Sequence, residues 1–250
     1  MWNWPRMIAH RGGGSIAPEN TIAGLAAALR AGYRAVEFDV MLAADGVPVL
    51  MHDERLGRTV AGRARVPELS SAALCAMDAG KWFGAVFAGE RVPLYQSALD
   101  FCVAHKLWMN VEIKPAAGHE AQTGAAVARL TREWLGPDAA GQVLFSSFST
   151  SALEAAQAAA PDIARGWLLN RLPADWLTQA QALQLSSVHL NHRHLNAESS
   201  ARIRDYGYGL FCYTVNTQSA WQRLAALRVD AICTDRIDLF PADAFALAAG

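Results

Sequence analysis

The sequence predicts a (β/α)8 barrel with a small insertion subdomain after its second strand. Eight short runs rich in Val, Ile and Leu alternate with Ala- and Leu-rich amphipathic segments, the pattern of repeated β-α units. A length of 250 residues suits one such barrel. Charged motifs stand at the C-terminal ends of the apolar runs, where a barrel builds its active site.

The strands are expected over 7–10, 35–40, 107–113, 143–146, 164–169, 187–190, 209–213 and 230–234. Each is an apolar stretch too short for a helix and flanked by turn-forming or polar residues. Between them the helical period predicts helices over 21–31, 94–105, 120–135, 149–159, 175–183, 196–206 and 218–227, with a closing helix over 241–248. The connection over 41–93 is far longer than an ordinary β-α loop and reads as an insertion. It opens with an Asp45-Gly46 turn and a short strand, Val47 to Met51, that returns His52 to the barrel mouth. The remainder, including Lys81-Trp82-Phe83-Gly84, is expected to form a small helical lid. No Pro-, Gly- or Ser-rich linker and no internal repeat divides the chain, so residues 1–250 are expected to be one domain with a cap.

With 52% hydrophobic residues and a net charge of −1, the composition is that of a soluble globular protein with one substantial core. The charge balance gives no basis for a nucleic-acid partner, and no run resembles a secretory signal or a membrane span. Cys75, Cys102, Cys212 and Cys233 lack CxxC spacing and are expected to be reduced core residues of a cytoplasmic protein. The oligomeric state, a homodimer included, is open at this point.

The chemistry lies in four motifs. Glu37 and Asp39 are two apart in Val-Glu-Phe-Asp-Val, so strand alternation aims both carboxylates to one face and Phe38 to the other. The same parity pairs Glu112 with Lys114 at the end of the third barrel strand. Several buried carboxylates on one face need compensation, and a hard divalent ion with oxygen ligands, Mg²⁺ or Ca²⁺, is the natural one; zinc would favour His or Cys. His10-Arg11-Gly12 supplies an imidazole, a guanidinium suited to bidentate phosphate contact, and glycine amides. His52, delivered by the insertion, completes a candidate acid and base pair with His10. Asn20 is expected to cap the first helix, and His189-Leu190-Asn191-His192-Arg193-His194 to be a loop of solvated histidines rather than a second metal site. Trp2, Trp4, Trp108, Trp134 and Trp167 are expected to pack the barrel.

These residues resemble the glycerophosphodiester phosphodiesterase family over nearly the whole chain. The resemblance rests on His10-Arg11-Gly12, Pro18-Glu19-Asn20-Thr21, Val36 to Val40, Asp45 to Asp53, Arg58-Thr59, Trp82-Phe83-Gly84, Val92-Pro93-Leu94, Val111 to Lys114, Tyr213-Thr214-Val215-Asn216 and Asp230 to Asp235. It implies that His10 and His52 are the acid and base, that Arg11 and Lys114 contact phosphate, and that Glu37, Asp39 and Glu112 hold the divalent ion. The implied substrates are small glycerophosphodiesters such as glycerophosphocholine, cleaved to glycerol 3-phosphate and an alcohol. The chain departs from the family at Tyr213, where Trp is usual, and at Arg236-Ile237, where Pro is common, which puts the shape of the alcohol-side pocket in question. The competing readings are a barrel phosphodiesterase of phospholipase D type and a catalytically silent metabolite-binding barrel.

Overall fold

The computed structural model describes residues 2–247. In chain order the strands are β1 (Met7–Ala9), β2 (Ala35–Leu42), β3 (Pro48–Leu50), β4 (Trp108–Ile113), β5 (Val143–Ser147), β6 (Ala164–Leu169), β7 (Ser187–Asn191), β8 (Gly209–Tyr213) and β9 (Ala231–Thr234). All but β3 run parallel, each beside the next, and pairing of β1 with both β9 and β2 closes them into an eight-stranded barrel. The expected (β/α)8 architecture is therefore present. β2 runs two residues past its expected end because β3 folds back antiparallel on it, matching Val40 with Leu50 and Leu42 with Pro48.

The helices are α1 (Ile22–Arg30), α2 (Ser71–Cys75), α3 (Tyr95–Ala104), α4 (Glu120–Leu135), α5 (Ala139–Gln142), α6 (Thr150–Ala159), α7 (Trp176–Ala182), α8 (Ala197–Asp205), α9 (Gln218–Ala226) and α10 (Ala244–Leu247). Hydroxyl or amide side chains start five of them: Thr21, Ser70, Ser149, Asn196 and Thr217 each accept an N–H of the first turn. Of the closing helix expected over 241–248, α10 is the helical part; Ala248 lies outside the described residues.

Two apolar layers hold the barrel. Outward strand residues such as Val36, Phe38, Val111 and Phe145 pack against the inner faces of the helices, among them Leu25, Leu99, Val127 and Leu153. Each such fully buried side chain contributes roughly 1.5–3 kcal/mol. Inside, the base is filled by Ile8, Ala35, Trp108, Leu144, Phe211, Ala231 and Cys233, over which Trp2 and Trp4 fold as a plug. Trp2 stacks on Phe211 at 5.9 Å, and Trp4 lies 5.7 Å from Trp108. Trp134 differs from the packing role expected of it: 46% exposed on α4, it donates to Asp100 at 2.7 Å.

Two further expectations are corrected. The insertion is hardly helical. Besides β3 and the five-residue α2 it holds only the single turns Val66–Glu68 and Ala85–Phe87. Glycines at positive φ (Gly57, Gly62, Gly89) and the Asp78 carboxylate, which accepts the N–H groups of Gly80, Lys81 and Gly89, shape it as loops instead. Its packing comes from Met41, Val49, Met51, Leu56, Val66, Leu74 and Val92. His189 is not in a solvated loop: it stands within β7, and alternation turns it fully inside the barrel. There it shares a 2.9 Å hydrogen bond with Ser187 Oγ, and burial pushes its pKa down to about 3, keeping it neutral. A Cβ on Gly166 would sit 2.2 Å from His189 Nε2, so the neighbouring strand must carry glycine at this point.

Candidate active site

The C-terminal mouth of the barrel gathers every residue expected to act. Asp39 is in register with Glu112 across β2 and β4, and Glu37 lies one inward position below Asp39. One oxygen from each of the three carboxylates falls within 4.8 Å of the other two, with side chains almost wholly buried. No other such cluster occurs among the described residues, His192 and His194 included.

Neighbouring groups fix each carboxylate. Arg11 N–H donates to Glu37 Oε2 at 2.8 Å, leaving Glu37 Oε1 buried without a hydrogen-bond partner. Asn20 holds Asp39 from both sides: its Nδ2 donates to Asp39 Oδ2 at 2.8 Å and its Oδ1 accepts Asp39 N–H at 3.0 Å. This corrects the expected capping role. Thr21 caps α1, and Asn20, at φ 55°, takes the left-handed conformation that Asn tolerates better than other side chains. Lys114 Nζ donates to Glu112 Oε1 at 3.0 Å and lies 3.5 Å from Asp39 Oδ1.

The electrostatics are those of an under-compensated anionic nest. Burial, then the charge of Asp39, raise the pKa of both Glu37 and Glu112 well above the carboxylate range. Burial acts the same way on Asp39, but Lys114 and Arg11 outweigh it and hold Asp39 low. Three carboxylates against two cations leave one negative charge. A divalent cation together with a singly charged phosphodiester would bring the whole to neutrality. Hard oxygen donors, one of them orphaned, fit Mg²⁺ or Ca²⁺.

Each histidine is anchored through Nδ1 by a carboxylate. His10 Nδ1 donates to Asp235 Oδ1 at 2.5 Å, and its Nε2 lies 3.9 Å from Glu37. Asp235 is itself clamped by Asn216, whose Nδ2 donates to Asp235 Oδ2 at 2.6 Å and whose Oδ1 accepts Asp235 N–H at 2.9 Å. The β1 loop fits tightly over this clamp: at Gly14, φ 54°, a Cβ would stand 2.2 Å from the Asp235 carbonyl oxygen. His52 Nδ1 donates to Asp53 Oδ1 at 2.7 Å, which the bend after β3 permits although a strictly extended chain would not. Arg58 links Asp53 to Glu19, donating to both Glu19 oxygens at 2.6 and 2.7 Å, and Glu19 in turn accepts from Arg11 at 2.9 Å. Lys114 Nζ donates to His52 Nε2 at 2.9 Å.

The two imidazoles are biased in opposite directions. Burial alone would lower His10, but the hydrogen bond to Asp235 and the Glu37 charge outweigh it and leave its pKa raised. Burial also lowers His52, where the Arg11 and Lys114 charges add to it and overcome Asp39 and Asp53. Glu19, Arg58, Asn216 and Asp235 carry this network without having been assigned a role from the sequence. The available signal was parity: Asp235 continues the inward series of Cys233 at the end of the last strand.

Comparison with known proteins agrees with this geometry. The model of the glycerophosphoryl diester phosphodiesterase family matches residues 10–239. The chain is 30% identical to the glycerophosphodiester phosphodiesterase of Caldanaerobacter subterraneus subsp. tengcongensis over 92% of its own length and 93% of that protein's. It superposes on a phosphodiesterase of Oleispira antarctica, solved with the product sn-glycerol-3-phosphate, with a TM-score of 0.90 and 32% identity over 98% of this chain and 97% of that one. A glycerophosphodiester phosphodiesterase from Agrobacterium tumefaciens gives a TM-score of 0.78 and 28% identity, covering 96% and 100% of the two chains. No helix among the described residues is long and apolar enough to cross a membrane. On sequence, barrel and the residues gathered at its mouth alike, the chain belongs to the glycerophosphoryl diester phosphodiesterase family of hydrolases.

Proposed function

We propose that this protein hydrolyses small glycerophosphodiesters, such as glycerophosphocholine and glycerophosphoethanolamine, to glycerol 3-phosphate and the free alcohol, using His52 as base and His10 as acid. The observation that carries the reading is one constellation: three convergent buried carboxylates flanked by two imidazoles, each tied by Nδ1 to a carboxylate and turning Nε2 into the site. Glu37, Asp39 and Glu112 would hold Mg²⁺ or Ca²⁺. When bound, that ion supplies charge neutralisation and polarises a phosphoryl oxygen.

The chain's own groups divide the remaining work. His52, kept neutral, accepts at Nε2 the proton of the glycerol 2-hydroxyl, and Asp53 steadies the imidazolium that results. The hydroxyl oxygen bonds to phosphorus as the alcohol leaves, giving a cyclic phosphate that water then opens to glycerol 3-phosphate. His10, kept protonated by Asp235, gives its Nε2 proton to the departing alcohol oxygen. An arriving phosphate competes for the Lys114 donors that otherwise rest on His52 and Glu112, which frees His52 Nε2. Arg11, whose Nε is buried without a hydrogen-bond partner, supplies the second cationic contact. Residues 41–93 act as the cap that delivers His52 and Arg58 to this site. All of these groups come from one chain, so the chemistry does not require a homodimer. We place the reaction in the cytoplasm on the strength of four free thiols.

Arg11→Lys should lower kcat/KM by about tenfold or more although the charge is kept, because a point charge cannot replace a planar fork held between Glu19 and the phosphate. Steady-state kinetics check this, and wild-type values in the Lys variant would reduce Arg11 to general electrostatics. The function itself is tested by incubating purified protein and divalent cation with a panel of glycerophosphodiesters and detecting glycerol 3-phosphate enzymatically. Release of that product from at least one diester is expected. Its absence across the panel would favour a silent binding barrel.

A further inference from the structure

The insertion carries Arg58 to the barrel mouth on a tightly held loop. The antiparallel pair Arg55 and Arg65, with the bond from Leu56 N–H to the Ala64 carbonyl at 3.0 Å, closes the base of that loop, and Gly57 N–H bonds the Val60 carbonyl at 2.8 Å nearer its tip. Leu56 and Val60 sink into the insertion's own core. Gly62, at φ 145°, lies so close to Leu56 that a Cβ would meet its Cδ1 at 2.9 Å. A loop pinned in this way fixes where its guanidinium can reach. Arg58 Nε donates to Asp53 Oδ2 at 2.6 Å, and its two terminal nitrogens donate to Glu19 Oε2 and Oε1 at 2.6 and 2.7 Å.

Each of these carboxylates also serves the site. Asp53 turns its other oxygen, Oδ1, to His52 Nδ1 at 2.7 Å, and Glu19 Oε1 accepts Arg11 at 2.9 Å. An unbroken chain of charge-assisted hydrogen bonds therefore runs from His52 through Asp53, Arg58 and Glu19 to Arg11. Among the described residues no other Lys or Arg pairs with Asp53. The Arg58 side chain is 45% exposed, so its ion pairs add little to stability. What a planar fork between two carboxylates from different loops does supply is orientation. We propose that Arg58 is a positioning residue that sets the base and the phosphate contact together, aiming His52 through Asp53 and the Arg11 guanidinium through Glu19. The proposal rests on the function above and adds the residue that couples its two halves.

The test reads kcat and KM separately on one glycerophosphodiester for the wild type, Asp53→Asn, Glu19→Gln, Arg58→Ala and Arg58→Lys, and for Arg58→Ala combined with each carboxylate variant. Asp53→Asn should chiefly lower kcat and Glu19→Gln should chiefly raise KM. Arg58→Ala should do both, for a loss of about 10²-fold in kcat/KM, while circular dichroism shows the fold intact. In the double variants the loss should fall well short of the product of the single losses, because Arg58 acts through the same carboxylates. Arg58→Lys, a point charge without the fork, should regain at most one of the two signatures. Independently of turnover, the downfield proton resonance of His52 Nδ1, identified by its loss in His52→Ala, should shift in Arg58→Ala. Fully multiplicative losses, wild-type kcat and KM in Arg58→Lys, or an unmoved His52 resonance would each overturn the proposal. If the wild type cleaved no diester, the proposed function would fail while the resonance still read the link from Arg58 to His52 on its own.

Discussion

Exhaustive chelation should abolish turnover, and the stripped protein should become less stable as the pH rises. Both expectations follow from the same three carboxylates. Burial and mutual repulsion raise Glu37 to about 8 and Glu112 to about 7 in the folded chain, against 4.5 as the ordinary value. Between those limits the folded state holds protons that the unfolded state has released, so unfolding stability falls with pH. The stability is complete below the ordinary carboxylate value and is lost as the pH climbs through about 7 to 8. Asp39, held low by Lys114 and Arg11, takes no part in that loss. A cation among the oxygens removes the repulsion, so added Mg²⁺ or Ca²⁺ should restore stability most strongly at the alkaline end. The effect is of the order of a few kcal/mol, which displaces the melting temperature by several degrees. Melting curves in chelator and in divalent cation, taken from about pH 5 to pH 8, read it directly. Full activity after chelation, or a melting temperature in chelator that does not vary across that range, would remove the cation from the account.

The barrel and the carboxylate cluster were legible because both depend on local parity. Period-2 alternation aims Glu37, Asp39 and Glu112 inward wherever the strands lie, and closure of the sheet brings β2 beside β4 in register. What stayed hidden depended on contacts between distant parts of the chain. His10 and its partner Asp235 are 225 positions apart, and Arg58 reaches Glu19 across 39. Asn20 offered a cap by residue type, but the cap position falls one residue later, at Thr21, and frees Asn20 for Asp39. His189 already lay within the strand expected over 187–190, and the alternation of that strand, not its length, turns it into the barrel interior. The insertion misled through composition. Its apolar residues build a local core, while positive-φ glycines and the Asp78 carboxylate determine its path.

The anchoring of the histidines leads to the sharpest expectation for catalysis. His10→Ala and His52→Ala should each lower turnover of a glycerophosphodiester by about 10²- to 10⁴-fold, the usual worth of a positioned acid or base. The fold and metal binding should persist, because both imidazoles are partly exposed at the barrel mouth. The wild-type rate should follow a bell in pH. The lower limb is the protonation of His52, whose pKa burial and the Arg11 and Lys114 charges depress. The upper limb is the deprotonation of His10, which the bond to Asp235 continues to raise even when a bound cation cancels the Glu37 charge. A nitrophenyl ester separates the two roles, since its leaving group departs without a proton. On that substrate His10→Ala should recover most of its rate and lose the upper limb, whereas His52→Ala should stay impaired. Asp235→Asn should follow the His10 pattern more weakly, because it leaves the imidazole in place while removing the carboxylate that orients and charges it. Equal impairment of the two alanine variants on both substrates would reject this division of labour and make the histidines joint supports of the site.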